Sequence, residues 1–377
     1  MRKTRLGWAI LVLMALILGA RGEGKPSDAI LKLLNSRAAG SPRGYSTAAK
    51  IVADEAANNK NQPVYKFVIA LVSEDPQAPE TARLDPEVRK RYLNESRDRI
   101  RQLAEKKGNS MAWYLLSLEN NNTNFLKRAA DGGNPQALNA WGTMCIKQAF
   151  RDTSLSTNDL ERVLRRCFGY FNDAAGQKDA NGFFNLGMCY LHGYGCEKDL
   201  DRAFGCFRTA AEAGHPEAIN NIGGFFRDGL IVEKDYVRAA KWFFKSAELG
   251  NAYGQLNYAL ALQRGEGIEK DEKAAAKLLL DAAQQGCPEA MNAYGMCCFT
   301  GSGVKQDQHA AFNWFKAAAA SSFPPAMENM ATCYEQGKVV ERSVRLATMW
   351  KLRARAARGD RNAMAWLKQN GYSLGGN

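Results

Sequence analysis

Apolar positions in the C-terminal half of the chain recur with helical spacing, and the pattern itself repeats every 36 residues. Each copy contains a large residue followed by a small one, such as Leu186-Gly187. A further small residue, such as Gly182, stands five positions before the small residue of the pair. Small side chains let neighbouring helices approach to roughly 8 Å, so this column predicts a helix, here called A, that packs on two sides. The paired positions are Leu186-Gly187, Ile222-Gly223, Tyr258-Ala259, Tyr294-Gly295 and Met330-Ala331.

A turn and a second helix, here called B, follow each A helix. Glycine ends helix A because it can adopt positive φ, and aspartate six residues later can cap the next helix. On helix B, positions such as Ala203 and Phe207 form one apolar face. A single hairpin cannot cover its own apolar faces, so the hairpins must stack into a solenoid. The turn columns are Gly193, Gly229, Gly265, Gly301 and Gly337, then Asp199, Asp235, Asp271 and Asp307.

The repeat pattern divides the chain into three regions. Residues 108–371 contain six recognisable units and a partial one. Trp141-Gly142 precedes Leu186-Gly187 by 45 residues, which predicts a nine-residue insertion, placed most simply in the turn around residues 151–159. Residues 23–107 lack the columns but keep helical periodicity, which predicts about four divergent helices.

Residues 1–22 resemble a secretory signal, with a basic start, an uncharged run over residues 6–20 and small residues after it. This run is shorter than the roughly 20 residues that span a bilayer, and an uncleaved leader is the alternative. We therefore expect an exported chain that is periplasmic or secreted, or lies in the ER lumen of a eukaryote. Membrane contact is expected only through a retained leader.

Composition and charge exclude some classes of protein. The apolar share of 46% excludes a disordered chain. The formal net charge is +12, and four of the basic residues belong to the leader. Without clustered basic and aromatic residues, this charge does not predict a nucleic-acid partner.

The repeat resembles a known family. The best copies read Gly182-x-x-Asn185-Leu186-Gly187-x-x-Tyr190-x-x-Gly193-x-Gly195 and Gly301-x-Gly303-Val304-x-x-Asp307. They are similar to the Sel-1-like repeat, a relative of the tetratricopeptide repeat, over about residues 108–371. The resemblance implies an all-α, right-handed α-solenoid of stacked helix–turn–helix repeats. It also implies a non-enzymatic adaptor without a cofactor, which binds another protein or a cell-envelope component through its concave surface.

Two groups of residues are candidates for partner binding. One column of the A helices holds Asn185, Asn221, Asn257 and Asn329. In tetratricopeptide relatives such amides hold a ligand backbone, but the same side chains can instead bond the neighbouring hairpin. The basic stretch 338–369 contains the second group, Arg353, Arg355 and Arg358. It either docks an acidic protein, an anionic lipid or a wall polymer, or forms the solvated face of the last repeat.

An alternative function follows from Ser302-x-x-Lys305, the one Ser-x-x-Lys sequence in the chain. This spacing defines one class of acyl-transfer nucleophile. Some cysteine-rich Sel-1-like proteins are described as β-lactamases, so the alternative is a hydrolase of β-lactams or peptidoglycan. Both residues fall at variable positions of a repeat turn, which favours a structural role and predicts no catalytic residue.

The cysteines give weaker indications. Cys189, His192 and Cys196 could offer three metal ligands, but no fourth has a recognisable spacing, so we predict no metal site. Cys297 and Cys333 occupy equivalent positions in adjacent hairpins, roughly 9–10 Å apart, which is too far for a disulfide. Cys189 and Cys206 could pair. Since nine is odd, at least one thiol is free, paired between chains, or buried as a small apolar side chain.

Overall fold

The computed structural model describes residues 86–120 and 122–372, and within these ranges the chain forms sixteen α-helices and no strand. The leader at residues 1–22, and the predicted N-terminal region up to residue 85, lie outside the described residues. In the described part, no helix has both the length and the hydrophobicity needed to cross a bilayer. The helices are α1 (Pro86–Lys107), α2 (Ser110–Asn120), α3 (Thr123–Asp131), α4 (Pro135–Arg151), α5 (Thr157–Gly176), α6 (Ala180–His192), α7 (Leu200–Glu212), α8 (Pro216–Asp228), α9 (Tyr236–Glu248), α10 (Ala252–Arg264), α11 (Glu272–Gln284), α12 (Pro288–Thr300), α13 (Gln308–Ala320), α14 (Pro324–Gln336), α15 (Val344–Ala357) and α16 (Arg361–Gln369).

The chain divides into two compact units between Lys234 and Asp235. In the first unit α2 packs on α3, α4 on α5 and α6 on α7. In the second unit α10 packs on α11, α12 on α13 and α14 on α15, and each B helix also packs on the A helix that follows it. The structure confirms the predicted all-α solenoid of stacked hairpins.

The large and small columns set the distance between the helices of one hairpin. A Cβ added to Gly187 would lie 2.7 Å from the ring of Phe207, and Gly295 meets Phe315 at the same distance. Both rings are almost fully buried. Burying a side chain of this size contributes roughly 1.5–3 kcal/mol to folding. The small column of helix A thus packs against the large column of helix B, a pairing that the sequence columns alone left unassigned.

Local chemistry fixes the ends of the helices as predicted. Gly193 ends α6 in the left-handed region with φ 74°. The Asp199 side chain accepts a hydrogen bond from the backbone N–H of Arg202 at the start of α7. In the last regular turn, where serine replaces aspartate, Ser343 Oγ accepts from the N–H of Leu346 at 3.2 Å. These caps satisfy N–H groups that have no partner inside the helix.

A second glycine in the turn presses against the preceding B helix. Gly195, Gly267 and Gly303 all have positive φ, and a Cβ on any of them would overlap a carbonyl group of that helix. In one turn Ile231 takes this position and keeps a φ of 54°. The left-handed region costs an L-residue roughly 1–2 kcal/mol, so Ile231 is a strained position.

The hairpin of α4 and α5 departs from the regular repeat. Its helices have 17 and 20 residues, whereas α6 and α7 have 13 each. The turn between α4 and α5 is only the five residues 152–156. The predicted insertion is confirmed, but its placement in the turn is wrong. The additional residues lengthen both helices, because the side chain of Ser156 caps α5 and no glycine ends α4 early.

Candidate binding surface on the A helices

The A helices carry one stripe of accessible side chains. Positions i, i+4, i+7 and i+11 of an α-helix lie within about 60° of one another, so they form a single face. In the second unit this face, here called the A-helix stripe, is exposed or half-buried at every position. It consists of Tyr253, Asn257, Leu260 and Arg264 on α10, Glu289, Ala293, Met296 and Thr300 on α12, and Pro325, Asn329, Thr332 and Gln336 on α14.

Two large apolar side chains of the A-helix stripe are open to solvent. Tyr253 is 48% exposed and Met296 is 38% exposed. Partial burial raises the pKa of Tyr253, and the negative charge of Glu289 on α12 raises it further. Sequence reasoning missed both residues because it followed the buried columns. The available signal was variation, since the Tyr253 column elsewhere holds Asn181, Glu217, Glu289 and Pro325.

Asn185, in the first unit, joins two hairpins. Its Nδ2 donates to Oδ1 of Asn139 on α4 at 3.0 Å, and Asn139 Nδ2 donates to Asp179 Oδ1 at 2.7 Å. Asn139 and Asp179 are buried. Burial raises the pKa of Asp179, while hydrogen bonds to its carboxylate, including the backbone N–H of Gly182 and the Asn139 amide, oppose that shift. The amide of Asn185 thus bonds the neighbouring hairpin.

Asn329, in the second unit, makes the equivalent bridge. Its Nδ2 donates to Oδ1 of Asn292 on α12 at 2.8 Å. Asn139 and Asn292 occupy the same repeat position, one residue before the asparagine column, so the two bridges share one register. The Nδ2 of Asn221 lies 3.6 Å from Sδ of Met188. Asn257 is half-buried on α10.

Arg353 does not lie on the surface. It is 2% exposed, and its guanidinium carbon sits 4.7 Å from the centre of the Trp350 ring. Burial lowers the pKa of Arg353. A cation stacked on an aromatic face inside the protein stabilises the fold. This placement corrects the expectation that Arg353 contacts a partner.

Arg355 and Arg358 are exposed and bind acidic residues of the same chain. Arg355 donates to Oδ2 of Asp360 through Nε at 2.9 Å and Nη2 at 2.6 Å. Arg358 donates to the Glu328 carboxylate, and this contact lowers the pKa of Glu328. Water screens such exposed pairs, so they are weak and open to competition. Both arginines are therefore solvated and paired within the chain, while docking of an acidic partner to the basic stretch stays a prediction.

Ser302 is not arranged as a nucleophile beside Lys305. Its Oγ donates to Oε2 of Glu272 at 2.8 Å. Lys270 and then Ser302 lower the pKa of Glu272. A hydroxyl has one proton, so the Ser302 proton is directed to Glu272, whereas the Lys305 side chain is exposed. The hydrolase alternative was based on a contact between Ser302 and Lys305, whereas the structure directs the Ser302 hydroxyl to Glu272.

The sequence Cys189 to Cys196 does not form a cluster of ligands. Cys189 is buried, and the His192 ring stacks on Tyr194 with centroids 5.1 Å apart. Across residues 86–120 and 122–372, no three His, Cys, Asp or Glu side chains are grouped to hold a metal ion.

All nine cysteines are thiols in the structure. In the second unit, Cys297 is buried and its sulfur accepts a hydrogen bond from Gln263 Nε2 at 3.2 Å. Cys333 is also buried. Cys189 and Cys206 lie in one apolar cluster of the first unit. Burial raises the pKa of Cys206 to about 11. Most of these thiols are therefore small core side chains with little thiolate at neutral pH.

Comparisons with known proteins agree with this architecture. The Sel1 repeat family matches residues 184–215, 216–251, 252–287, 288–323 and 324–357. A Sel1 repeat protein from Oxalobacter formigenes is 26% identical with a TM-score of 0.52, over 69% of this chain and 99% of that one. A protective antigen of uropathogenic Escherichia coli with an SLR fold is 20% identical with a TM-score of 0.47, over 85% and 67%. A search of the curated proteins finds no match. Residues 184–357 thus form five Sel1 repeats.

Proposed function

We propose that the protein is a non-enzymatic scaffold that binds another protein through the A-helix stripe. The observation that carries the proposal is the accessibility of this stripe on three successive A helices of the second unit, α10, α12 and α14. Sel1 repeats are typically protein-interaction modules, which supports the same function. We assign the A-helix stripe to the concave surface that the family resemblance implies.

The chemistry of the stripe suits a peptide segment of a partner protein. Tyr253, Leu260 and Met296 offer apolar contact, and Tyr253 also carries a hydroxyl group. Aromatic residues and methionine are enriched where proteins bind one another. A few buried anchors supply most of the binding energy in such interfaces. Tyr253 and Met296 are the anchors that we propose, and the Asn329–Asn292 hydrogen bond ties α12, which carries Met296, to α14.

Affinity capture with a paired variant tests this assignment. The double variant Tyr253→Ala with Met296→Ala removes both proposed anchors, which are exposed, so the fold should remain intact by circular dichroism. The matched control is Phe244→Ala, because Phe244 is 44% exposed but lies on a B helix of the same unit. We expect the wild-type chain and the control to retain the same partner, and the double variant to lose it by at least about tenfold.

Two outcomes would contradict the proposal. If the double variant captured the partner as well as the wild type, the A-helix stripe would not be the binding surface. If Phe244→Ala abolished capture and the double variant did not, the B helices would be the binding side.

We also propose that the chain acts after export, on a partner in the cell envelope or outside the cell. The support is the signal-like composition of residues 1–22. Mass spectrometry of the N-terminus, on protein from fractionated cells, measures this directly. We expect a chain that begins close to residue 23 in the envelope or secreted fraction. A full-length chain in the cytoplasmic fraction would contradict this location.

A further inference from the structure

Cys145 and Cys167 face each other across the lengthened hairpin. Cys145 lies on α4 and Cys167 on α5, and these helices approach closely where Gly142 meets the ring of Phe171. Gly142 is three residues before Cys145, and Phe171 is four residues after Cys167. The two helices run antiparallel. One helical turn from the Gly142–Phe171 contact, residue 145 on α4 therefore lies opposite residue 167 on α5. The two cysteines pack in one apolar cluster together with Phe171.

In the regular hairpins, the positions equivalent to Cys145 and Cys167 meet in the core. Allowing for the insertion, Cys145 and Cys167 correspond to Leu262 and Ala275 in one repeat. These two residues lie in one core cluster of the second unit. In the following repeat Cys298 and Ala311 occupy the columns and again share a cluster. Only the irregular hairpin has a thiol in both columns.

Cys145 has the environment of a reactive thiol. It is half-buried, whereas Cys167 is fully buried. The hydrogen bond from Cys167 lowers the pKa of Cys145 to about 7, and the positive charges of Arg166 and Lys127 act in the same direction against burial. The same contact, together with burial, raises the pKa of Cys167. Cys145 is therefore the more acidic thiol of the pair.

The other cysteines of this cluster have the opposite character. Cys189, Cys196 and Cys206 pack around the same core. Burial raises the pKa of all three, to about 12 for Cys189 and about 11 for Cys206. Cys145 therefore stands apart as the reactive member of the cluster, and Cys167 is placed to react with it.

We infer that Cys145 and Cys167 form a reactive dithiol site whose substrates are low-molecular-weight disulfides. The Cys145 thiolate attacks one sulfur of the disulfide and expels the first thiolate. Cys167 then gives its proton to solvent and attacks the Cys145 sulfur, which forms the protein disulfide and expels the second thiolate. The two cysteines are oxidised, and the added disulfide is reduced to two thiols. The new bond ties α4 to α5 within the lengthened hairpin.

Oxidised glutathione, added to the full-length protein, is a direct probe of this site. After a timed reaction, free thiols are alkylated and the protein is cleaved with trypsin. Cys145 falls in peptide 129–147 and Cys167 in peptide 167–178, each with a single cysteine, so a link between them has a unique mass. We expect this link to dominate the oxidised protein, and we expect Cys167→Ser to accumulate glutathione on Cys145.

Cys206 provides the matched control, because it is a half-buried cysteine of the next hairpin with its own peptide, 203–208. In the wild-type chain near pH 7, Cys145 should react at least about tenfold faster than Cys206. Cys206→Ser should form the 145–167 link as readily as the wild type does. The rate comparison uses the wild-type chain and therefore does not depend on any variant folding.

The inference is overturned if Cys145 reacts no faster than Cys206. A dominant link from Cys145 to a cysteine other than Cys167 also overturns it. If Cys167→Ser is folded by circular dichroism but retains no glutathione on Cys145, the order of attack proposed here is wrong.

Discussion

The second glycine of the repeat turn allows a sharp test of how the hairpins fit together. Gly303 has a φ of 71°, and a Cβ at this position would overlap the carbonyl group of Glu272 at the start of α11. The substitution Gly303→Ala therefore introduces two penalties, one in the backbone and one at the contact between hairpins. Gly286→Ala is the matched control, because Gly286 has a φ of 91° and nothing lies within 4 Å of its added Cβ.

The two penalties have separable magnitudes. The left-handed region costs alanine about 1–2 kcal/mol relative to glycine. Overpacking against fixed atoms typically costs a further 1–3 kcal/mol or so. We therefore expect Gly303→Ala to lower the free energy of unfolding by about 2–5 kcal/mol. Gly286→Ala should show the backbone penalty alone, about 1–2 kcal/mol.

Urea unfolding followed by far-UV circular dichroism measures both variants. A repeat array need not unfold in one step, so transition midpoints are compared first. Hydrogen exchange of peptides covering residues 300–307 then localises the effect, because opening of this turn should accelerate exchange there. If Gly303→Ala and Gly286→Ala shift the midpoint equally, the close contact with α11 carries no energy and the packing argument is wrong.

Three further predictions concern other positions. Ile231→Gly should relieve positive-φ strain and raise stability by about 1 kcal/mol, measured as an increase in the thermal midpoint. Asn139→Ala should cost about 1–3 kcal/mol by urea unfolding, because it removes a buried donor to Asp179. When a carboxylic acid has a higher pKa in the folded than in the unfolded state, the protein loses stability as pH rises. Removing the Asn139 amide should raise the folded pKa of Asp179 further. The cost of Asn139→Ala should therefore be larger near pH 7 than near pH 4, and an equal cost at both would contradict it. Arg353→Ala should clearly lower the thermal midpoint, whereas Arg358→Ala should leave it nearly unchanged.

Helix boundaries were predictable because the residues that set them act locally. A glycine with positive φ ends a helix, and an aspartate side chain reaches an N–H three residues ahead, so each leaves a mark at a fixed spacing. Gly193 and Asp199 illustrate this in the first unit. The columns that contain Gly187 and Phe207 were identifiable for a related reason, since both recur with the same period, but their contact with each other is seen only in the structure.

Other features depend on contacts between residues that do not recur with the 36-residue period. Arg353 belongs to a run of basic residues, and its burial is decided by the position of the Trp350 ring beside it. Residues 151–159, where the insertion was predicted, are polar except for Leu155, and such a stretch is compatible with either a longer turn or longer helices. The same insertion shifts the register, which hid the correspondence of Cys145 and Cys167 with facing columns of the regular repeat.

The lengthened hairpin also changes what a stack of similar units can specify. At 1.5 Å per residue, four additional residues extend α4 by about 6 Å and seven extend α5 by about 10 Å. The backbone geometry repeats from one regular hairpin to the next, so a ligand that contacts only the features common to all repeats could shift by one unit without losing contacts. The lengthened ends of α4 and α5 differ from the regular hairpins. A ligand long enough to contact them therefore has one preferred binding position. The insertion thereby makes otherwise similar repeats distinguishable by their distance along the chain from the lengthened hairpin.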